Sequence, residues 1–480
     1  MATFNLVRNS RVFFSTNVDA STGVLAATSY STSNTQELQV LDGFSFSQQS
    51  NADAVQISEA GSTPVRGQRS FNTSLNNVEI TFSTYLRPHK PTSTVNAEES
   101  VLWNALLGDQ ALGTSVTIGG TPSTATYATG TGILTLGGTA MTYAGITVGD
   151  IITISGLGGS SASRGNVPGK VLTLSATSIT VQLLGASTAA MTLTAGVGVK
   201  FNKSAWTDNV AVVADTEPGV GNVPYGQVTT AVSNKNQLQK FGLIIKVDGI
   251  TYAIDNCAMD QASIDFNLDG IAMVSWTAKG TAIRERTVTW SSASDPVLTG
   301  DLAGTLKGKN TAANYITNKL STITLNEEIG GGGSAFTLAL TGGNITIANN
   351  INYVVPANLG TVNIPIGYFT GTRAVSGNVT AYLRTGSANT AGLLSTMLAN
   401  AATSAETKYS LNIAIGGSAN AIRVETFIFG AMLQIPTIDA QAVMSTTINF
   451  TAQGTDYLGG SSASFDLENT NDLRIRYFSS

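Results

Sequence analysis

The sequence predicts an all-β protein with two short helices: two tandem β-sandwich or barrel domains of one kind, with a small β-barrel or immunoglobulin-like domain inserted in the first. Three observations predict it. Apolar and polar residues alternate with a period of two along much of the chain, the same motifs recur in the same order, and a long strand-like stretch interrupts the first copy.

The alternation is clearest from Gln261 to Asp269, where Ala262, Ile264, Phe266 and Leu268 oppose Gln261, Ser263, Asp265, Asn267 and Asp269. Successive strand side chains point to opposite faces, so one face is wet and the other apolar. Asn77 to Phe82 repeats the pattern, with Val78, Ile80 and Phe82 opposing Asn77, Glu79 and Thr81. Gly- and Asn-rich turns such as Val247-Asp-Gly249 and Thr341-Gly-Gly343 punctuate the runs. Two segments read as helices. In Ala97–Leu107 the residues Val101, Leu102, Ala105 and Leu106 share a face, and Glu98 and Glu99 suit the first turn. In Ala391–Ala399 the apolar set is Leu393, Leu394, Met397 and Leu398.

The duplication rests on order. Trp276-Thr-Ala-Lys-Gly-Thr281 matches Phe450-Thr-Ala-Gln-Gly-Thr455, and Ile264-Asp265 stands as far before the first as Ile438-Asp439 before the second. Tyr85-Leu-Arg87 matches Tyr382-Leu-Arg384, and each precedes a helix. Leu243–Asp248 corresponds to Leu411–Gly416. The first domain is therefore expected at 1–112 and 203–290, the inserted domain at 113–202, a polar linker at 291–312 and the second domain at 313–480. Within the insertion, Gly145–Ile154 and Lys170–Leu174 bracket the turn Asn166-Val-Pro-Gly169, while 208–236, with Pro218 and Pro224, reads as an irregular return.

Composition narrows the function. The chain has 480 residues, of which 42% are hydrophobic and only 11% charged, against roughly 25% charged in ordinary domains. Twenty-five basic and 30 acidic residues give a net charge of −5, which argues against a basic nucleic-acid clamp. With one histidine, His89, and one cysteine, Cys257, an intrachain disulfide is excluded and most metal sites with it. His89 follows Pro88 on an expected turn, and Cys257 reads as a small buried apolar residue. Glu327 and Glu328 point apart on a strand. Gly330–Gly333 lacks the Lys-Ser/Thr of a phosphate loop and reads as a hairpin tip. Mean hydropathy is +0.14, yet no apolar run of about 18 residues is present, and Met1–Arg8 lacks signal-peptide order. No catalytic, cofactor or metal site is expected, and no membrane association.

Several segments resemble the tail tube proteins of T-five-like siphophages: Leu41-Asp-Gly-Phe-Ser-Phe46, Asn51-Ala-Asp53, Glu59-Ala-Gly61 with Pro64 and Arg66, Ser83-Thr-Tyr-Leu-Arg-Pro88 and Val101–Leu106. The likeness resumes at Tyr315–Leu320, Thr341–Gly343, Ile364-Pro-Ile-Gly367 with Phe369-Thr-Gly371, Thr380–Leu383 and Ile435–Ile438. It covers most of the chain outside the insertion. The resemblance implies two fused tube domains per chain, stacked pseudo-sixfold trimeric rings, and a channel that houses the tape measure protein and then conducts DNA. It implies further partners in the tail terminator and the distal tail or baseplate proteins, and a place in the virion tail after assembly in the host cytoplasm. Double-stranded DNA is a partner in transit only, without sequence specificity. Two departures stand out: the family's best-known member lacks the insertion and ends in an immunoglobulin-like domain, which this chain does not show.

A channel for a polyanion must not hold it, because Lys and Arg contacts to phosphate release counterions and bind tightly. The polar strand faces therefore supply the expected lumen residues: Glu79, Thr81, Ser83, Ser263, Asp265, Asn267, Asp439 and Asn449. Their opposite faces, Ile264, Phe266, Trp276, Ile438, Ile448 and Phe450, are expected as core beneath the helices. Gln48–Asn76, with Glu59, Arg66 and Arg69, is the expected ring-stacking hairpin. Two alternatives share part of this pattern: the inner tube of a contractile, sheathed tail, and a β-rich virion decoration or adhesin protein.

Overall fold

The computed structural model describes residues 10–27, 30, 34–41, 43–56, 68–89, 96–107, 116–117, 119–129, 132–143, 146, 148, 151–159, 168–183, 191–196, 199–202, 206–210, 225–229, 238–247, 250–285, 315–327, 335–357, 359, 362–403, 409–417, 422–436, 438–439, 444–452 and 473–478. The first half contains β1 (Ser10–Ser15), β2 (Thr35–Leu38), β3 (Ser45–Gln56), β4 (Gln68–Tyr85) and α1 (Ser100–Leu107). It resumes after the insertion with β5 (Phe241–Val247), β6 (Ile250–Asn267), β7 (Met273–Gly280) and β8 (Ala282–Glu285). The second half contains β9 (Thr322–Glu327), β10 (Ala335–Leu338), β11 (Leu340–Ala348), β12 (Ala374–Tyr382) and α2 (Thr390–Thr403). Then come β13 (Tyr409–Ile415), β14 (Arg423–Leu433), β15 (Ile438–Asp439), β16 (Ser445–Ala452) and β17 (Leu473–Phe478).

The two halves share one topology. In the first, β1 pairs with β2 and β5, β6 with β5, β7 and β8, and β4 with β3 and β7, all antiparallel. In the second, β9 pairs with β10 and β13, β14 with β13, β16 and β17, and β12 with β11 and β16. Each of these pairings in one half thus has its counterpart in the other. The halves then join edge to edge: Gln261–Asn267 of β6 pairs antiparallel with Gly342–Ala348 of β11. The apolar strand faces form one continuous core, in which Val78, Ile80, Phe82, Ile264, Trp276, Ile345, Val375, Ile448 and Phe450 are buried. Helix α1 closes it with Leu102, Trp103, Ala105 and Leu106, and Trp103 meets Trp276 edge to face at 4.8 Å. Helix α2 contributes Leu393 and Met397.

Several expectations change. Glu98 and Glu99 precede α1 instead of forming its first turn. Glu98 pairs with the buried Arg87, and the Glu99 carboxylate accepts from Tyr477 Oη of β17 at 2.6 Å. That hydroxyl also accepts from Trp103 Nε1 at 2.8 Å, so a strand of the second half is tied to the helix of the first. The return at 208–236 is less irregular than expected. Strands Trp206–Val210 and Tyr225–Thr229 pair with each other, and Tyr225–Thr229 adds to the edge of β17, which would otherwise be open. The motif match between Ile264-Asp265 and Ile438-Asp439 is not a match of register. Asp265 lies opposite Met273, three residues before Trp276, whereas Asp439 lies opposite Ser445, five before Phe450. Pro436, with no N–H to give the ladder, interrupts the strand between Leu433 and Ile438.

The segment 116–202 forms its own antiparallel sheet of seven strands. The order across it is Val116–Thr117, Lys200–Asn202, Ile151–Ser155, Pro168–Leu174, Ser178–Leu183, Ile133–Thr142 and Gly119–Ala128. Leu134, Leu136, Ile152, Ile154, Val181 and Phe201 bury a core separate from that of the two halves. The linker 291–312 and the tip at Gly330–Gly333 lie outside the described residues.

Candidate functional site

The joined sheets present one polar face, and register decides its composition. Directly opposed residues of antiparallel strands share a face. One transverse row runs Ser83, Ser275, Ser263, Thr346, Ser376 and Thr451. A parallel row places Asp265 beside Asn344, Asn378 and Asn449. Others contain Ser45, Thr81, Thr277 and Gln261, or Asn267, Gly342, Thr380 and Thr447.

Short side chains bond along these rows. Ser45 and Thr81 hydroxyls are 2.7 Å apart, those of Ser83 and Ser275 3.2 Å, and those of Thr380 and Thr447 3.1 Å. Thr346 donates to Ser263 Oγ at 3.3 Å across the joint between halves, and Asn378 Nδ2 donates to Asn344 Oδ1 at 3.2 Å. Asp265 sits in a shallow polar hollow at that joint, lined also by Asn267, Thr341, Gly342, Asn344, Asn378 and Thr380. Partial burial raises its carboxyl above the usual range, against the opposing effect of a hydrogen bond from Ser263.

A further row holds Ser47, Glu79 and Lys279, so among the residues named in these rows charge is confined to Glu79, Asp265 and Lys279. Lys279 is neutralised by Asp260 at 2.8 Å and also donates to the Ile351 carbonyl at 2.8 Å. The face is therefore hydroxyl- and amide-rich, with a slight acidic balance. It offers no array of cations to a phosphate backbone.

Seven of the eight residues expected on a lumen wall lie on this one face: Glu79, Thr81, Ser83, Ser263, Asp265, Asn267 and Asn449. Asp439 lies in β15, but its side chain, like that of Ile438, is outside the described residues. Of the expected stacking residues, Arg69 is exposed on the outer part of the β3–β4 hairpin, and Glu59 and Arg66 are outside the description. Cys257 is buried, and its thiol is pushed up by loss of solvent. His89 pairs in a two-residue bridge with Asn96 instead of forming a free turn.

Sequence reasoning missed the ionic cluster behind the core. Glu425 accepts from Arg423 Nε at 2.7 Å and from Arg476 Nη2 at 2.5 Å, and all three are almost fully buried. Burial alone would raise the Glu425 carboxyl, but the two guanidiniums outweigh it and hold it below its ordinary value. Arg423 stacks over Phe478 at 3.8 Å and Arg476 over Phe427 at 4.6 Å. A lone Arg or Glu between apolar residues on a strand carries no sequence signal for such pairing.

No family model matches the sequence. The chain is, however, 24% identical over 468 residues to the tail tube protein pb6 of Escherichia phage T5. The resemblance to T-five-like tail tube proteins holds. The similarity takes in 95% of this chain and 76% of the T5 protein, so it spans both halves and is not a match of one domain.

Proposed function

We propose that the protein is the structural subunit of a phage tail tube, located in the virion tail and assembled in the host cytoplasm. Three copies close a ring, and stacked rings enclose a channel that houses the tape measure protein and later passes DNA. The tail terminator and distal tail or baseplate proteins meet its ends. The two tube domains are 1–112 with 203–290, and 313–480, joined by the linker 291–312; the inserted domain, 113–202, stands on the outside. Its role is mechanical, without catalysis or cofactor.

The observation that carries this reading is the joint between β6 and β11. Because the halves share a topology, each should make the same joint on its other side. The counterpart of the β6 edge is the end of β14 with β15, and the counterpart of β11 is β3. Among the described residues, β3 pairs with β4 alone. Pairing β3 of one copy with the Leu433–Asp439 edge of the next repeats the intrachain joint, satisfies both open edges and closes the sheet. With four strands per half, about 4.8 Å per strand and a tilt of about 40°, six halves enclose a barrel about 48 Å across, wider than a DNA duplex. The hydroxyl and amide face then lines the bore.

The test is a cysteine pair, Ser45→Cys with Gln434→Cys, in the full chain. Oxidation should link copies into closed trimers. A protein that assembles while these positions remain unlinked, with neighbouring edge positions also failing to link, would contradict the ring.

A further inference from the structure

Among the described residues, two groups of exposed apolar side chains stand at opposite ends of the same strands. Between β11 and β12, strands Asn352–Val354 and Gly367–Phe369 form a hairpin stem. From Asn349 to Thr372 the sequence has no charged residue. Within this segment Leu359, Val362, Ile364, Ile366 and Phe369 are more than half exposed, Leu359 fully so. Val362, Ile364 and Ile366 alternate along one extended run, while Asn363 is fixed to β4 by its carbonyl, which accepts from Leu75 N at 2.8 Å. The run is thus held in place with its apolar side outward.

The second patch is at the far end. In the β6–β11 joint, Ala348, next to the hairpin, pairs with Gln261, whereas Gly342 pairs with Asn267. Beyond Asn267 stand the exposed Leu268 and Ile271, with exposed Leu320 brought alongside by the bridge between Ile271 and Thr317. The charges there, Asp269 and Lys319, face each other at 3.8 Å. Exposed apolar patches of this kind mark contact surfaces.

One copy cannot bring its own hairpin to its own far rim, because the joined strands separate them. A second copy displaced along the strands can. We propose that the 352–371 hairpin of one copy docks on the Leu268, Ile271 and Leu320 rim of a copy in the next ring, so that axial stacking is driven mainly by the apolar hairpin of the second half. The contact is heterologous and does not close, which is the condition for an open polymer. Both surfaces are uncharged or internally neutralised, so neither opposes the other electrostatically. The inference rests on the ring reading and names the surface that joins one ring to the next.

The experiment uses the full chain. Ile364→Asp with Ile366→Asp, and separately Leu268→Asp with Leu320→Asp, should each give particles of three copies by mass photometry and isolated rings by electron microscopy, where wild type gives tubes. Rings that still stack into tubes in both variants would overturn the inference and leave the ring reading intact. Wild-type protein that forms no ring would overturn that reading and the inference with it. In case a variant fails to fold, Ile364→Cys is combined in turn with Leu268→Cys, Ile271→Cys and Leu320→Cys in assembled tubes. A disulfide ladder in at least one combination is the expected result, and tubes with no ladder in any of them would contradict the docking.

Discussion

Asn256 and Gly430 hold the same place in the two halves of the chain. Each is the left-handed residue of a bulge, with φ of 48° and 60°. In one half the register shifts between the pairs Phe241–Cys257 and Leu243–Ile254, in the other between Tyr409–Ala431 and Leu411–Ile428. A bulge bends and re-twists a strand at a fixed point. Its recurrence shows that the halves share the detailed path of their longest strands as well as the order of pairing.

The left-handed region costs an ordinary side chain about 1–2 kcal/mol, least for Gly and Asn. Gly430→Ala should therefore lower stability by about 1–2 kcal/mol. Asn256→Gly should cost about half as much, through chain entropy alone. Urea midpoints at fixed pH measure both, and equal effects would contradict the equivalence.

Buried Glu99 gives a pH dependence of unusual sign. Burial raises its carboxyl to about 7 from 4.5, despite the hydrogen bond from Tyr477. Because the folded value exceeds the unfolded one, its contribution is fully present below about 4.5 and is lost as pH rises through about 7. Glu99→Gln should remove that loss, roughly 3 kcal/mol at 1.36 kcal/mol per unit, and raise the melting temperature at pH 8.5 more than at pH 5. A variant that melts in parallel with wild type across that range would count against the assignment.

The Arg423–Glu425–Arg476 cluster behaves in the opposite direction. Its carboxyl is held low, so its stabilising effect is present above the ordinary carboxylate range and is lost as pH falls through the lowered value. Glu425→Gln leaves two guanidiniums buried without a counter-charge and should cost about 3–5 kcal/mol at pH 7. Chemical denaturation checks this, and a loss below 1 kcal/mol would show that the cluster is solvated.

The wall chemistry predicts how DNA responds. Asp265→Lys with Glu79→Lys places cations on the polar face without touching the core. Assembled tubes of this variant should retain duplex DNA at 50 mM salt and release it at 200 mM, the signature of counterion release. Wild-type tubes should retain none at either concentration, as read by co-sedimentation.

What the sequence made legible follows from local chemistry. Alternation assigned Glu79, Thr81, Ser83, Ser263, Asp265 and Asn267 to one face because strand geometry alone decides that. Motif order exposed the duplication. Register was not legible: the interruption at Pro436 moves Asp439 along the strand, and no count of matching residues reveals where a ladder breaks. The ties from Glu99 and Trp103 to Tyr477 were also hidden, since they join residues almost the whole chain apart. The exposure of Val362, Ile364 and Ile366 carries no sequence signal, because it depends on the position of the run outside the sheet.

Cryo-electron microscopy of the assembled full chain tests the central claim most directly. The account predicts three copies per ring and a continuous β-wall in which β3 of each copy pairs with the Leu433–Asp439 edge of its neighbour, with Ser263, Asp265 and Asn378 facing the bore. A ring whose inner surface carries Trp276 and Ile264, or whose β3 edge remains unpaired, would contradict it.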